Sequence, residues 1–269
     1  MPNAKDMTAS ATKRILFVGK TGSGKSSQMW TLPGRKFLYL FDPNTKATIG
    51  KHKDRSGLDI EYEEFLPEIA ELDASLKGFN KGAKSDKLRG PQREPTTYNR
   101  WVDDLNDKGA SGFFNNFDWL CIDGLTHLGR ACMARQLFIN GRYGDIEELS
   151  DYRVVGSKLT SVFESICSTD TNIYMTGHID TYQDEKTNRI ETLIRSPGSS
   201  RAMLPLIFTD IWGASYEDGK YMARTKPDRR GLTDIRCSMS GVPETVDVTI
   251  PDFPSNKGGI GALLAKYNS

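Results

Sequence analysis

The sequence has little of what marks a disulfide-bonded, zinc-binding or membrane-embedded protein. Its four cysteines lie far apart without a C-x-x-C pair, and none of its three histidines stands at a metal-ligand spacing from a cysteine. This usage argues against a disulfide framework and indicates a reducing compartment, which we expect to be the cytoplasm. The longest apolar run, Phe37–Phe41, has five residues, far fewer than the ~18 that a membrane span needs.

The chain also lacks an excess of charge of one sign. Its 269 residues include 36 Lys and Arg against 35 Asp and Glu, which gives a net charge of +1. A polybasic protein that holds nucleic acid through its overall charge is therefore excluded, and any DNA contact has to come from a local basic patch. Hydrophobic residues make up 37% of the chain and aromatic residues 10%, enough for a sizeable core and too many for a disordered chain.

Short apolar segments alternate with helical patterns along the chain. Strands are predicted at Arg14–Val18, Phe37–Phe41, Leu58–Phe65, Phe117–Asp123, Asn172–Thr176, Asp210–Tyr216 and Lys220–Thr225. Helices are predicted at Thr97–Lys108, His127–Ile139, Asp151–Ser168 and Gly258–Ala265. This alternation predicts an α/β fold, with a mainly parallel sheet sandwiched by helices and an antiparallel C-terminal edge. We expect a disordered tail at residues 1–13 and one domain at 14–269, with a basic loop insertion at 77–95.

A phosphate-binding motif follows the first predicted strand. Gly19–Ser26 reads GKTGSGKS and matches G-x-x-x-x-G-K-[ST] at every fixed position, between a strand and a helix. Glycines in such a loop let successive N–H groups turn inward around an anion, and the helix N-terminus adds partial positive charge. We expect Lys25 to contact the β- and γ-phosphates of ATP and the Ser26 hydroxyl to ligate Mg²⁺. The residues predicted to bind the nucleotide are Gly19, Lys20, Thr21, Gly22, Ser23, Gly24, Lys25, Ser26 and Ser27.

A magnesium-binding acid is expected at the tip of a neighbouring strand. The apolar strand Trp119–Ile122 ends in Asp123, which is the Walker B pattern, so Asp123 is predicted to hold the ion together with Ser26. Many ATPases place a catalytic glutamate directly after this aspartate, whereas here Gly124 follows.

With these motifs the chain resembles the RecA-like P-loop ATPases, in which a small residue follows the Walker B aspartate. It is similar in particular to those that phages encode for recombination and single-strand annealing. The resembling segments are Gly19–Ser26, Phe37–Asp42, Trp119–Thr126, Tyr174–His178 and Lys220–Arg230. The resemblance implies a RecA-like fold, Mg²⁺-dependent ATP hydrolysis stimulated by single-stranded DNA, and self-association into a ring or filament. From the lack of a long apolar run we expect no membrane partner, and the location would be the host cytoplasm if the protein is phage-encoded.

The resemblance also places groups around the γ-phosphate. It puts the Asn172–Thr176 strand between the strands that end in the phosphate loop and in Asp123, and it maps a polar γ-phosphate sensor onto His178. Basic fingers that reach the γ-phosphate of a neighbouring subunit map onto Lys226 and Arg229, and Arg230 is similarly placed.

The general base is less clearly indicated. RecA-like enzymes have a water-polarising glutamate at the end of the strand after the phosphate-loop helix, and the matching residue here is Asn44. Asp42 is one candidate for the base, and Glu63 or Glu64 on the next strand are others. If none of these residues acts as the general base, ATP hydrolysis should be slow.

DNA-contacting loops in the resembling family follow the Walker B and sensor strands. These loops map onto Thr126–Arg130 and onto Asp180–Arg201, which includes Arg195. The basic Lys77–Arg93 loop is a further candidate for a phosphate-backbone contact, although it has one aromatic residue, Phe79, for base stacking. A solvated insertion is the alternative interpretation of that loop.

Two other functions remain open at this point. A P-loop kinase of a small metabolite would need an arginine-rich lid between helices, whereas the basic residues here stand beside strands and in a loop. A non-hydrolysing, nucleotide-gated assembly factor is favoured by Asn44 in place of the glutamate. The overall fold does not decide between these functions.

Overall fold

The structure is a computed structural model that describes residues 12–46, 60–66, 94–183, 190–227, 234–251 and 258–267. The described residues leave out most of the predicted tail, the predicted basic loop at 77–93, Arg229 and Arg230.

Within these residues nine strands form one sheet. They are β1 (Arg14–Gly19), β2 (Lys36–Leu40), β3 (Ile60–Glu64), β4 (Trp119–Asp123), β5 (Asn172–Gln183), β6 (Ile190–Ile194), β7 (Asp210–Glu217), β8 (Lys220–Arg224) and β9 (Thr245–Asp247). The strand order is β3-β2-β4-β5-β1-β7-β8-β9, and β6 pairs with β5 off this path. The strands from β3 to β7 in this order pair in parallel, whereas β8 and β9 are antiparallel. The predicted α/β sheet with an antiparallel C-terminal edge is confirmed.

Helices cover both faces of the sheet. They are α1 (Lys25–Gln28), α2 (Thr97–Ala110), α3 (Leu125–Ile139), α4 (Leu149–Cys167), α5 (Ser200–Ile207) and α6 (Gly259–Tyr267), with 3-10 turns at Met29–Thr31 and Phe113–Asn116. No helix in the described part of the chain is long and apolar enough to cross a bilayer.

The apolar run of β1 is explained by its central place between two cores. Successive side chains of a strand point to opposite faces, so Leu16 and Val18 pack into the core beneath α2, α3 and α4. Ile15 and Phe17 pack into the second core, which includes Met29 and α6 residues such as Leu263. A parallel strand that is buried on both faces needs a continuous apolar sequence, as β1 has.

The end of β2 is fixed by aromatic packing. Trp101 of α2 is fully buried, and its ring meets Phe41 edge-on at 5.5 Å between centroids and Tyr39 at 6.1 Å. Truncating a buried tryptophan removes about 3–5 kcal/mol of stability. This packing holds Phe41 in place, and the Phe41 backbone N–H donates to the carbonyl oxygen of Asp123 over 2.9 Å.

The expectation that the two segments mapped as DNA-contacting are loops was wrong, because the described residues of both segments include helix or strand. Thr126–Arg130 lies within α3, which begins directly after Gly124 because this glycine adopts a left-handed conformation with φ of 110°. Asp180–Arg201 contains the end of β5, the antiparallel strand β6 and the start of α5. The strand β5 continues past Thr176 because Ile179 pairs with Ile194, which is buried in the core.

Candidate functional site

The phosphate loop is shaped by glycines at the end of β1. Gly22 and Gly24 both have φ of 80°, in the left-handed region, and Gly24 directly precedes α1. A Cβ on Gly24 would lie 2.7 Å from Cδ1 of Tyr221, and a Cβ on Gly19 would lie 2.4 Å from the carbonyl oxygen of Ala214. Glycine is therefore required at both positions by space, and at Gly24 by conformation as well.

Lys25 is buried and folds back onto this loop. Its Nζ donates hydrogen bonds to the carbonyl oxygens of Gly19 at 3.0 Å and Lys20 at 2.8 Å, and to Oγ of Ser23 at 3.4 Å. Burial lowers the pKa of Lys25 to about 8, against the opposing attraction of Asp123 and of the neighbouring Asp42. The amine thus lies among neutral oxygens, where the negative oxygens of a phosphate would bind it more strongly.

Asp123 is buried at the end of β4 and is held by hydroxyl groups. Oδ1 accepts hydrogen bonds from Oγ of Ser26 at 3.0 Å and from Oγ1 of Thr176, and Oδ2 accepts one from Oγ1 of Thr45. Burial raises the pKa of Asp123, and these hydroxyl bonds oppose the rise. A cation beside the carboxylate would offset the unfavourable burial of its charge. The adjacent carboxylate and Ser26 hydroxyl are the hard oxygen ligands that Mg²⁺ prefers, so these residues fit the ion.

Thr45 and Thr176 are site residues that the sequence motifs do not reveal. Thr176 is the β5 residue directly beside Asp123 in the sheet, and its Oγ1 also accepts the backbone N–H of Gly124 at 3.0 Å. Thr45 belongs to the helical turn at residues 43–46 after β2. The available signal was the strand order, because it puts the ends of β2 and β5 on either side of β4.

His178 lies beside the phosphate loop within β5 rather than at a strand tip. It pairs with Gly19, the last residue of β1, and β5 continues for five more residues. The pKa of His178 is lowered, chiefly by burial. Lys25, His127 and Arg195 lower it further, and Asp42 opposes them. The structure therefore gathers these four groups around His178.

Asp42 is the candidate base that the structure brings into electrostatic reach of Lys25. It is half-buried, and its Oδ1 accepts hydrogen bonds from the backbone N–H of Asn44 at 2.9 Å and from Asn44 Nδ2 at 3.0 Å. This oxygen caps the turn at residues 43–46. Asn44 itself is exposed.

The other two candidate bases form ion pairs with lysines. Glu63 pairs with Lys108 of α2 at 2.9 Å, and Glu64 pairs with Lys46 at 2.7 Å. Both glutamates belong to β3, which is separated from β4 by β2. Their geometry favours a structural role on that edge of the sheet.

Arg195 and Lys226 carry positive charge at different places in the fold. Arg195 donates its backbone N–H to the carbonyl oxygen of His178 at 2.8 Å, and its Nε donates to Oδ2 of Asp180 at 2.8 Å. Lys226 is exposed and follows β8. Because β8 starts beside the phosphate loop and runs antiparallel to β7, Lys226 lies toward the end of the strands opposite to that loop. Sequence reasoning assigned Arg195 to a DNA-binding loop and missed its position beside His178.

Together, the strand order, the glycine loop after β1 and the buried aspartate at the end of β4 define a P-loop NTPase. A protein-family model for the AAA domain, AAA_24, matches residues 11–237. The chain belongs to this AAA family. No curated protein matches the sequence.

Proposed function

We propose that this protein hydrolyses ATP with Mg²⁺ and acts on single-stranded DNA as an oligomer, in recombination or replication of the phage type. Membership of the AAA family supports nucleotide binding and ATPase activity in general. The observation that carries the proposal is the 3.0 Å hydrogen bond between Ser26 and Asp123, which brings a hydroxyl and a carboxylate together beside the phosphate loop.

The chain's own residues divide the chemistry between them. The N–H groups of the phosphate loop and Lys25 bind the β- and γ-phosphates, which fixes the γ-phosphorus relative to the ends of β4 and β5. Ser26 and Asp123 would hold Mg²⁺, which supplies charge stabilisation on the β- and γ-oxygens. His178 stands beside the loop as the γ-phosphate sensor. The positions of these side chains support these roles, and mutagenesis tests them.

Action on DNA is supported by the resemblance to phage recombination ATPases and by the β5–β6 hairpin. In this hairpin β5 extends beyond its pairing with β1, at the end of the strands where the phosphate loop lies. Arg195 lies at the end of β6, and Arg201 is exposed on α5. A nucleic acid bound there would lie close to His178, so that DNA and nucleotide binding would be coupled.

Self-association is supported by the position of Lys226. This exposed residue lies away from the phosphate loop of its own subunit. A cation in that position can complete a nucleotide site only in a neighbouring subunit, as the fingers of RecA-like oligomers do.

The decisive test is phosphate release from ATP with and without single-stranded DNA, with Lys25→Ala as the inactive control. Stimulation by DNA would support the proposal. Turnover that requires a small-molecule acceptor would identify a kinase instead. ATP binding without turnover under either condition would identify a nucleotide-gated assembly factor.

A further inference from the structure

The connection between α3 and α4 exposes two large apolar side chains. Ile146 lies in this connection and Leu149 begins α4, and their exposed fractions are 85% and 70%. Asp145 and Glu147 flank Ile146 and are exposed as well. These four residues, which we call the acidic knob, combine an apolar centre with a charged rim. Protein interfaces have the same arrangement of an apolar core within a polar rim.

The acidic knob is held at its base by the buried carboxylate of Asp151. Oδ2 of Asp151 accepts the backbone N–H of Glu148 at 2.9 Å and pairs with Arg142, and Oδ1 accepts Nδ2 of Asn140 at 2.8 Å. Arg142 also pairs with Glu148 at 2.9 Å and donates from Nη1 to the carbonyl oxygen of Ile146 at 3.4 Å. Because this backbone is already fixed, the knob can dock with little loss of conformational entropy.

A cavity of about 510 Å³ has walls that complement the acidic knob. Its volume lies within the range of about 300–1,000 Å³ that is typical of binding pockets. Ile235 and Val242 supply apolar wall, and the exposed Lys226 and Arg236 supply positive charge. The Arg236 side chain donates to the carbonyl oxygen of Phe208, a neutral group that does not cancel its charge. Among the described residues that line this basic cavity, none is acidic.

The acidic knob and the basic cavity lie toward opposite ends of the strands. The cavity lies where β7 starts, since Arg236 pairs with Ile211, and the phosphate loop lies beside later residues of β7. The knob lies toward the phosphate loop. Gly198 stands three residues after Arg195, and a Cβ on it would overlap the carbonyl oxygen of Tyr152 in the first turn of α4. Two different surfaces at opposite ends can join copies only head to tail.

We propose that the acidic knob of one copy docks in the basic cavity of a second copy, so that copies assemble head to tail. This inference rests on the self-association in the proposed function and names the two surfaces that carry it. Ile146 and Leu149 would lie against the apolar walls, with their acidic neighbours facing the two cations of the cavity. Docking would also bring Lys226, the proposed finger, toward the phosphate-loop end of the neighbouring copy.

The first test is Leu149→Asp in the full chain, with Leu206→Asp as the matched control. Leu206 on α5 is a leucine with nearly the same exposed fraction, 72%. Sedimentation velocity over a range of concentrations, with ATP, Mg²⁺ and single-stranded DNA present, measures the Kd of self-association. We expect Leu149→Asp to raise this Kd on the order of tenfold or more and Leu206→Asp to stay within about twofold of the parent. If circular dichroism shows that Leu149→Asp does not fold, Ile146→Asp decides in its place.

An exchange of charges tests whether the two surfaces meet each other. The knob variant Asp145→Lys/Glu147→Lys and the cavity variant Lys226→Glu/Arg236→Glu each put like charges at every interface, so each alone should assemble less than the parent. In an equal mixture, alternating copies pair opposite charges at every interface, and assembly should return. Light scattering measures it without relying on hydrolysis, and a folding defect in either variant would not be reversed by mixing.

The possible outcomes separate the docking from self-association itself. The inference is overturned by parental self-association of a folded Leu149→Asp, by equal dissociation of Leu206→Asp, or by a charge-exchanged mixture that stays dissociated. Each of these results leaves the oligomer standing, because the parent still assembles. A parent that is monomeric under every condition refutes the oligomer of the proposed function, and the inference with it.

Discussion

The Ser26 hydroxyl donates a 3.0 Å hydrogen bond to Oδ1 of Asp123, which lies 97 residues later in the chain. This bond joins the beginning of α1 to the end of β4 and sets the two oxygens side by side. Because the carboxylate is buried and also held by Thr45 and Thr176, its orientation is fixed before any ion arrives. Such preorganisation is what a catalytic metal site requires of its protein ligands.

Asp123→Asn should spare ATP affinity and reduce turnover. The amide keeps the shape of the side chain but removes the negative charge that would hold Mg²⁺, so we expect a loss on the order of 100-fold in rate. The measurement is steady-state phosphate release at saturating Mg²⁺. When the metal is removed by EDTA, parent and variant should become equally slow. An unchanged rate at saturating Mg²⁺ would place the magnesium acid elsewhere, with Asp42 the next candidate.

Thr176→Val should destabilise the protein. The substitution keeps the β-branched shape but removes the acceptor of the Gly124 N–H and a donor to Asp123. Leaving such buried groups unpaired costs about 1–3 kcal/mol of unfolding free energy, which urea unfolding can measure. Thr181→Val is the control, because Thr181 is an exposed residue of the same strand. Equal stability of the two variants would contradict the structural role of the Thr176 hydroxyl.

The local parts of this site could be predicted from the sequence. The apolar run of β1, the spacing of the Gly19–Ser26 motif and the apolar strand before Asp123 are each contained in a few consecutive residues. Because local patterns determine strands and the phosphate loop, these elements appear where they were predicted.

The site residues and elements that the sequence did not predict depend on contacts between distant segments. Thr45 and Thr176 reach Asp123 only because β2 and β5 flank β4, and a hydroxyl residue after a strand is too common to be diagnostic. Helix α5 has Pro205 inside it, a residue that argues against a helix because it lacks an N–H. The extension of β5 was missed because His178 and Asp180 are polar, and its stability comes from pairing with β6.

Gly24→Ala should impair the phosphate loop more than Gly22→Ala. Both glycines have φ of 80°, where alanine costs about 1–2 kcal/mol. At Gly22 nothing lies within 4 Å of the added Cβ, whereas at Gly24 the ring of Tyr221 lies at 2.7 Å. ATP affinity and melting temperature should therefore fall further in Gly24→Ala, and adding Tyr221→Ala should return them toward the Gly22→Ala values. Equal behaviour of the two single variants would show that the ring moves aside freely.

ATP binding should become weaker above pH 8. Lys25 has a pKa of about 8 in the free protein, so raising the pH beyond that value removes its charge. The phosphates bind the charged amine, so above pH 8 ATP binding is coupled to uptake of a proton by Lys25, and affinity should fall by up to about tenfold per pH unit. Calorimetry in buffers of different ionisation enthalpy measures the uptake. Lys25→Arg stays charged at these pH values and should show no proton uptake on binding ATP. Equal proton uptake by parent and variant would assign the proton to another group.

Arg195 and Lys226 are candidates for a further cation at the γ-phosphate beside Lys25, and in the proposed oligomer they would come from different subunits. Arg195 lies beside His178 of its own subunit. Lys226 lies away from its own phosphate loop, and Arg229 follows it in the same segment. A finger from a neighbour requires an oligomer with head-to-tail interfaces, in which each site combines groups from two subunits.

We expect Lys226→Ala or Arg229→Ala to lose hydrolysis while each subunit still binds ATP, and the loss to be partly reversed by mixing with Lys25→Ala. Each variant alone is inactive, but a mixed interface can pair an intact phosphate loop with an intact finger. In an equal mixture with random assembly about a quarter of the head-to-tail interfaces are intact, so about a quarter of the parental rate should return.

Arg195→Ala mixed with Lys25→Ala should show no recovery, because a group from the same subunit cannot be replaced by a neighbour. A folding defect would not be rescued either, since the partner brings no intact site of its own. Full-rate hydrolysis by a monomer that is stable to dilution would refute the finger, and Arg195 would then be the cation of the site.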